Sequence, residues 1–356
     1  MRGIMDAEVI FMPNISLYDR ILGSLIGGAA GDALGYAIEF SSEGTIFGRY
    51  GESGITEYKI DYDTGKAIIS DDTQMTLFTA DAVIESVKSG RPLRETAAES
   101  YLCWLETQTG RTAKVTRRSP LTDIPALRVR RAPGNTCLSS LFSYIKRVDF
   151  IDDPVNNSKG CGSVMRVAPV ALGLRPGKNW KGTLEELDFE CAQAGAITHG
   201  HPLGYRTCAL MNHIIALCLS DNGKTLRQIV EEANAATARL FSGDGYTEKL
   251  YRLIETAIEL SGNNDTDLNN IHALGEGWVA EEALAIAVYC ALRHEDNFDA
   301  ALIASVNHKG DSDSTGAVMG NLLGAYLGIG AIGEKWTKDL ELADVITDLA
   351  GQLGKL

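Results

Sequence analysis

Apolar residues recur at intervals of three and four along most of this chain, the spacing that places them on one face of an α-helix. Convincing strand-like alternation is nearly absent, and Ile55 to Ile60 is predicted to be a small hairpin or a loop. The pattern predicts an all-α protein. Its expected helices cover approximately residues 17–37, 73–88, 93–106, 161–173, 183–198, 202–220, 226–240, 246–260, 279–293, 297–307, 314–328 and 336–353.

The predicted helices follow one another without a Pro/Gly/Ser-rich linker or an internal repeat of fixed period. We therefore predict one compact domain over residues 18–356, preceded by an N-terminal extension of residues 1–17. Three longer loops are expected, at about residues 40–69, 107–134 and 261–278. The second loop holds a basic island, which is either a solvated surface or a rim that attracts phosphates. Its residues are Arg111, Lys114, Arg117, Arg118, Arg128, Arg130 and Arg131.

The composition narrows the classes of partner. A net charge of -14 and a pI near 4.9 disfavour nucleic acid and anionic membranes, because both require basic surfaces. Seven cysteines without a CxxC pair favour reduced thiols and a cytoplasmic location. Residues 1–16 lack the basic and apolar regions of a signal peptide, and no transmembrane span is predicted.

Two predicted helices contain repeated glycines. One is the run from Gly23 to Gly35 and the other is the run from Gly316 to Ala325. Each glycine lowers helix stability by roughly 1 kcal/mol relative to alanine, so the runs need a compensating role. Neither follows a strand, as a dinucleotide-binding loop would. We expect the two helices to pack closely against each other in the core.

Two acidic clusters lie far apart in the chain, each at the start of a predicted helix. They are Ser70-Asp71-Asp72-Thr73 and Asp311-Ser312-Asp313-Ser314-Thr315. Either alone is typical of a helix N-cap with an acidic first turn. Together they predict the two halves of one site, because adjacent carboxylates repel unless a cation lies between them. Ligands that are all oxygen suit Mg²⁺, Mn²⁺ or Ca²⁺.

Other stretches give weaker signals. The run from Gly160 to Arg166 is predicted to open a helix whose free N–H groups could hold a pyrophosphate. His199 lies in a turn and is expected to bind a ligand or the backbone. Trp278 is expected to anchor the core, or else to shape an adenine pocket. Glu39, taken alone, is expected to be a surface residue.

In combination, these stretches resemble the ADP-ribosylglycohydrolase family, which includes the dinitrogenase-reductase-activating glycohydrolases. They occur in the family's order over roughly residues 18–330, which makes the combination far more specific than any single motif. The matching stretches are Gly27–Gly35, Ser70–Thr73, Arg131–Thr136, Ser158–Arg166, Thr198–His199, Gly277–Ala285 and Gly310–Thr315.

The resemblance implies a single orthogonal multi-helix domain with two divalent cations, Mg²⁺ ahead of Mn²⁺, at the bottom of a cleft. The motif match assigns six metal ligands, Ser70, Asp71, Asp72, Asp311, Asp313 and Ser314, where Ser70 and Ser314 replace a threonine that is frequent in the family. It assigns Gly134, Ser158, Gly160, Cys161, Gly162 and His199 to the substrate. Glu39 matches an acid that contacts the metals or gates the cleft in some members.

The implied reaction is removal of ADP-ribose from a protein side chain, arginine first, by attack of metal-activated water on the anomeric carbon. Asp313, Asp71 or Glu39 would take the proton. One alternative is a protein that binds and blocks an ADP-ribosyltransferase toxin, and another is a hydrolase of small ADP-ribose conjugates. A catalytically inactive homologue is disfavoured because both acidic clusters are intact.

Overall fold

The computed structural model describes residues 15–144, 156–220 and 223–356, in which regular secondary structure is helical. Isolated bridges such as Ile60 with Ala67 are the remaining pairings. Sixteen α-helices are described: α1 Leu17–Tyr36, α2 Glu43–Tyr50, α3 Asp71–Ser89, α4 Leu93–Thr109, α5 Asn135–Tyr144, α6 Pro169–Gly173, α7 Leu184–Ala196, α8 Pro202–Leu219, α9 Leu226–Leu240, α10 Gly245–Ser261, α11 Asp267–Leu274, α12 Ala280–Arg293, α13 Phe298–Val306, α14 Ser312–Leu327, α15 Glu334–Thr337 and α16 Ala343–Lys355.

The all-α prediction is confirmed, and the differences concern short elements. Helices α2 and α11 lie inside two of the predicted loops, where Ser42 and Thr266 cap their first turns. The predicted helix 161–173 was wrong as one element, because a 3₁₀ turn at Cys161–Ser163 precedes the short α6. The predicted helix 336–353 is interrupted before α16, at Leu342, which has a φ of 58°.

Helices α1 and α14 pack closely against each other, as the glycine pattern predicted. They run antiparallel, so that glycines four residues apart on one helix meet glycines four residues apart on the other. A Cβ atom added to any of these glycines would lie 2.0 to 2.6 Å from a backbone oxygen of the partner helix. Only glycine permits this approach. The pairs are Gly23 with Gly324, Gly27 with Gly320 and Gly31 with Gly316.

The antiparallel packing sets the position of the acidic clusters. The C-terminal end of α1 lies beside the N-terminal end of α14, where Gly35 faces the backbone of Ser312. The segment after α1 contains Glu39, and the start of α14 contains Asp311 and Asp313. Residues remote in sequence are thereby brought to one end of the central helix pair.

The basic island in the second loop is largely engaged with the protein itself. Arg117 binds Asp81 at 2.8 Å, and Arg118 binds Glu106 at 3.1 Å. Arg131 lies 3.4 Å from Glu341. These arginines hold the loop to α3, α4 and the chain near α16, so the structure favours a structural role for them over a phosphate-attracting rim.

The N-terminal extension, residues 1–17, stays a prediction, since residues 1–14 lie outside the described part of the chain. Within the described helices, none combines the length and apolar character needed to cross a bilayer.

The glycine contact between α1 and α14 yields a stability prediction. Gly320→Ala should lower the free energy of unfolding by at least about 3 kcal/mol, because its Cβ would lie 2.0 Å from the Gly27 carbonyl oxygen. Gly351→Ala is the matched control, since it is also within a helix but meets nothing within 4 Å. The control should stabilise by up to about 1 kcal/mol. Urea denaturation measures the free energy of unfolding of both variants. Equal values would contradict the packing argument.

Candidate functional site

A cleft with a volume of about 220 Å³ opens where α1, α3 and α14 meet. Most residues predicted for the site line it, although they come from six separate stretches of the chain. Those that line it are Glu39, Asp71, Asp72, Gly134, Gly160, Cys161, Gly162, His199, Asp311, Asp313 and Ser314. Ser70 and Ser158 are not among its lining residues and lie next to those that are.

Both acidic clusters occupy helix N-termini, as predicted. The Ser70 side chain caps α3 by accepting a hydrogen bond from the Asp72 N–H at 3.1 Å. At the start of α14, the Ser314 N–H lies 3.0 Å from Asp313 Oδ1 and 3.4 Å from Asp311 Oδ1. The positive end of each helix dipole therefore faces the carboxylates and lowers the cost of holding them together.

Asp32, in the glycine-rich α1, holds the start of α3 in place through hydrogen bonds to its backbone. Its carboxylate accepts the Ser70 N–H at 2.9 and 3.0 Å and the Thr73 N–H at 3.0 Å. Asp32 is fully buried, and this burial raises its pKa to about 6 against the opposing effect of these hydrogen bonds. The sequence prediction missed this role. A charged residue inside a run of small apolar residues was the available signal.

The two clusters meet in the cleft, as predicted. Asp71 and Asp72, at the start of α3, line the same pocket as Asp311, Asp313 and Ser314, at the start of α14. Carboxylate oxygens of Glu39, Asp311 and Asp313 lie within 4.8 Å of one another. Glu39 is only 8% exposed, so the expectation of a surface residue was wrong, and the position implied by the family resemblance fits the structure better.

Five carboxylates share this cleft, and within the described ranges none of them has an ion-pair partner. Burial, followed by the charges of Asp311, Asp71 and Asp32, raises the pKa of Glu39 to about 8. Burial also raises the pKa of Asp71 to about 8, and it raises the pKa values of Asp72 and Asp313. Concentrated negative charge of this kind is stable at neutral pH only with protons or cations between the groups.

The donor set fits hard divalent cations. Two buried oxygens, Asp72 Oδ2 and Glu39 Oε2, have no hydrogen-bond partner, which is costly unless something binds there. Carboxylate and hydroxyl oxygens are the ligands that Mg²⁺ and Mn²⁺ prefer. The Cys161 thiol lies beside these oxygens and donates a hydrogen bond to Asp311 Oδ2 at 2.6 Å.

A glycine-rich turn forms another wall of the cleft. The Gly160 N–H bonds the Ser158 hydroxyl at 3.3 Å, and the Cys161 N–H bonds the Trp278 carbonyl at 3.2 Å. These two N–H groups therefore already have acceptors within the protein. Fewer free donors remain for a pyrophosphate than the sequence predicted. The Gly134 N–H is likewise directed at Asp71 Oδ2, at 3.2 Å. Gly134 thus orients an acid as well as lining the cleft.

His199 lies behind this turn at the end of a buried polar chain that begins at Arg166. The Arg166 guanidinium donates to the Thr198 hydroxyl at 2.7 Å, and that hydroxyl lies 2.8 Å from His199 Nδ1. A hydroxyl that accepts from arginine keeps its own hydrogen to donate, so we assign the imidazole proton to Nε2, on the side of Gly160. Burial lowers the pKa of His199 to about 3, so the ring is neutral.

Arg166 is a second residue that the sequence prediction left without a role. It is fully buried, lies over the Tyr101 ring at 4.4 Å and donates to the Gly162 carbonyl at 2.6 Å. It therefore holds the glycine-rich turn and orients His199. Its place in the Ser158–Arg166 motif was the only signal.

Trp278 departs from its expected place in the core. Its side chain is 41% exposed, and it lines the cleft. The prediction that Trp278 anchors the core was therefore wrong.

The chain is similar to known proteins over almost its whole length. The ADP-ribosylglycohydrolase family profile matches residues 13–356. An ADP-ribosyl-[dinitrogen reductase] glycohydrolase from Rhodospirillum rubrum is 25% identical over 93% of each chain. An ADP-ribosylarginine hydrolase, Tri1, from Serratia proteamaculans is 22% identical over 98% of this chain and 82% of the relative.

Human ADP-ribosylhydrolase ARH3 is 25% identical over 52% of this chain and 54% of its own length. Among solved structures, an ADP-ribosylglycohydrolase-related protein complex superposes with a TM-score of 0.64. That similarity covers 96% of this chain and 98% of the other at 22% identity, and it supports the fold.

The contact of Asp32 with α3 yields a second prediction. Asp32→Ala should lower the free energy of unfolding by on the order of 3 kcal/mol, because buried N–H groups of Ser70 and Thr73 would lose their acceptor. Asp63→Ala, at an exposed position, should change it by less than about 0.5 kcal/mol. Chemical denaturation measures both. A small effect at Asp32 would show that water replaces the carboxylate.

Proposed function

The chain belongs to the ADP-ribosylglycohydrolase family, and from this membership we propose that it hydrolyses the bond between ADP-ribose and a modified protein side chain, arginine first. The observation that carries the proposal is the meeting of five carboxylates in one cleft, none of which has an ion-pair partner among the described residues. Two relatives of nearly full-length similarity support it, because their names specify ADP-ribosyl-dinitrogen reductase and ADP-ribosylarginine as substrates.

The cofactors of this proposal are two divalent cations, Mg²⁺ or Mn²⁺. Their ligands would be Ser70, Asp71, Asp72, Asp311, Asp313 and Ser314. When bound, such ions make water more acidic and stabilise negative charge on oxygen. The weakest member of the set is Ser70, since its hydroxyl already accepts the Asp72 N–H and does not line the cleft.

The protein's own groups would bind and orient the substrate. His199 Nε2–H is a neutral donor beside the glycine-rich turn, which suits a phosphate oxygen of the pyrophosphate. Gly160, Cys161 and Gly162 would line the subsite for that group. Gly162 cannot be replaced without moving its neighbours, since a Cβ there would meet Cys137 Sγ at 2.9 Å. Gly134 and Ser158 complete this subsite by holding Asp71 and Gly160 in place.

One of three carboxylates would accept the proton when water adds to the anomeric carbon. The candidates are Glu39, Asp71 and Asp313, and all three line the cleft. Glu39 is favoured because it lines the cleft and is not among the six proposed ligands. A group that does not hold a cation directly is the better base.

The alternative of a toxin-blocking protein, which the N-terminal extension of residues 1–17 and the long loops suggested, gains no support, and residues 1–14 lie outside the described part of the chain. That arginine is the acceptor is part of the proposal. Hydrolysis of small ADP-ribose conjugates is the second candidate function.

All seven cysteines are free, which agrees with the proposed reducing, cytoplasmic location.

Metal dependence is the first test of this function. Asp313→Ala and Asp71→Ala should each reduce release of ADP-ribose from ADP-ribosylarginine by at least about a hundredfold, as should a chelator. Mg²⁺ or Mn²⁺ should also raise the melting temperature of the wild type but not of these variants. Exposed Asp63→Ala is the control and should behave as wild type. Undiminished rates in both variants would refute a metal centre at this place.

The phosphate role of His199 is tested separately. His199→Phe should weaken ADP-ribose binding about tenfold, because a charge-assisted hydrogen bond to phosphate is lost. His199→Gln is the matched control, since its amide N–H can replace Nε2–H, and it should retain most of the affinity. Calorimetric titration with ADP-ribose gives both values. Equal affinity in all three proteins would remove His199 from the binding site.

A further inference from the structure

Two exposed aromatic rings adjoin the cleft: Trp278 lines it, and Phe40 follows the lining residue Glu39 in the chain. Phe40 is 76% exposed and Trp278 is 41% exposed, in a chain that buries most of its large apolar side chains. Their rings are stacked, with centroids 6.2 Å apart and planes inclined by 19°. Exposing so much aromatic surface is unfavourable in water, so a pair of this kind is typical of a contact surface.

The residue that precedes each ring in the chain lies beside the carboxylates of the cleft. Glu39, before Phe40, shares the group of close carboxylates with Asp311 and Asp313. Gly277, before Trp278, has a φ of 82°, and a Cβ there would lie 3.5 Å from the Asp311 Cβ. The Trp278 carbonyl also accepts the Cys161 N–H at 3.2 Å. The pair is therefore fixed at the outer edge of the reaction centre.

The charge beneath the pair remains negative even with cations bound. Five carboxylates line the cleft, and two divalent cations would balance only four of their five charges. The chain as a whole has a formal charge of -14. A planar cation fits this environment, because its face stacks on an aromatic ring and its charge is attracted to the acids.

We propose that the Phe40–Trp278 pair binds the guanidinium of an ADP-ribosylated arginine and so selects arginine as the acceptor. The inference rests on the proposed function. The glycosylated guanidinium is still a planar cation, whereas a serine linkage carries no charge. Stacking over a ring also leaves the guanidinium N–H groups free to meet the carboxylates below.

Adenine is the other planar group that could stack there, and its position argues against it. In the proposed orientation the anomeric carbon lies over the acids, while adenine is separated from it by two riboses and a pyrophosphate. The leaving group, in contrast, is bonded directly to that carbon. Rings fixed beside Glu39 and Asp311 are therefore placed for the leaving group.

The test compares acceptors. Phe40→Ala and Trp278→Ala should each lower kcat/KM about tenfold on an ADP-ribosylarginine peptide, chiefly through KM, and leave an ADP-ribosylserine peptide nearly unaffected. Phe40→Tyr should retain the wild-type values. Tyr62→Ala removes a 98% exposed aromatic that does not line the cleft, and it should change neither substrate. Equal losses on both peptides, or no loss on arginine, overturn the inference.

A binding measurement separates this inference from the proposed function and from adenine. Calorimetry should show that the wild type binds ADP-ribosylarginine more tightly than ADP-ribose, and that Phe40→Ala abolishes the difference without weakening ADP-ribose. Weakened ADP-ribose binding in that variant would indicate adenine and overturn the inference. If the wild type releases ADP-ribose from neither peptide, the proposed function fails, and this binding difference still decides the role of the pair.

Discussion

The contact between α1 and α14 is the constraint on which the site depends. Backbone oxygens of each helix occupy the space where a Cβ of the other would lie, so glycine is required at Gly23, Gly27, Gly31 and their partners. The antiparallel packing brings the end of α1 to the start of α14, and Asp32 on α1 fixes the start of α3 at the same place. Helix stability lost to glycine is offset by this close packing.

The packing also creates the electrostatic problem that defines the chemistry. Helix N-termini, the capping side chains of Ser70 and Asp311 and a buried hydrogen-bond network hold five carboxylates in one cleft with no described ion-pair partner. Helix dipoles reduce the repulsion but do not remove it, as the raised pKa values of Glu39 and Asp71 indicate. A polar wall opposite the acids, organised by Arg166, is mostly uncharged. The cleft thus combines a place for cations with a place for phosphates.

Sequence patterns predicted the long helices well, because an apolar stripe over three or more turns is a strong local signal. They missed α2, α5 and α11, which are short. They also merged the turn at Cys161–Ser163 with α6, since apolar spacing continues through a stretch that tertiary contacts hold in a turn. Trp278 was expected in the core because large aromatics usually are, and its exposure depends on a loop position that no local pattern encodes.

The sequence by itself determined the helical class, the close glycine packing and the pairing of two acidic clusters, because each follows from residue type and spacing. Only the tertiary structure decided that Asp32 supports α3, that Arg166 orients His199 and that Glu39 is buried with Asp311 and Asp313. These contacts join residues from tens to nearly three hundred positions apart. Their geometry depends on how whole helices pack, which no single stretch of sequence specifies.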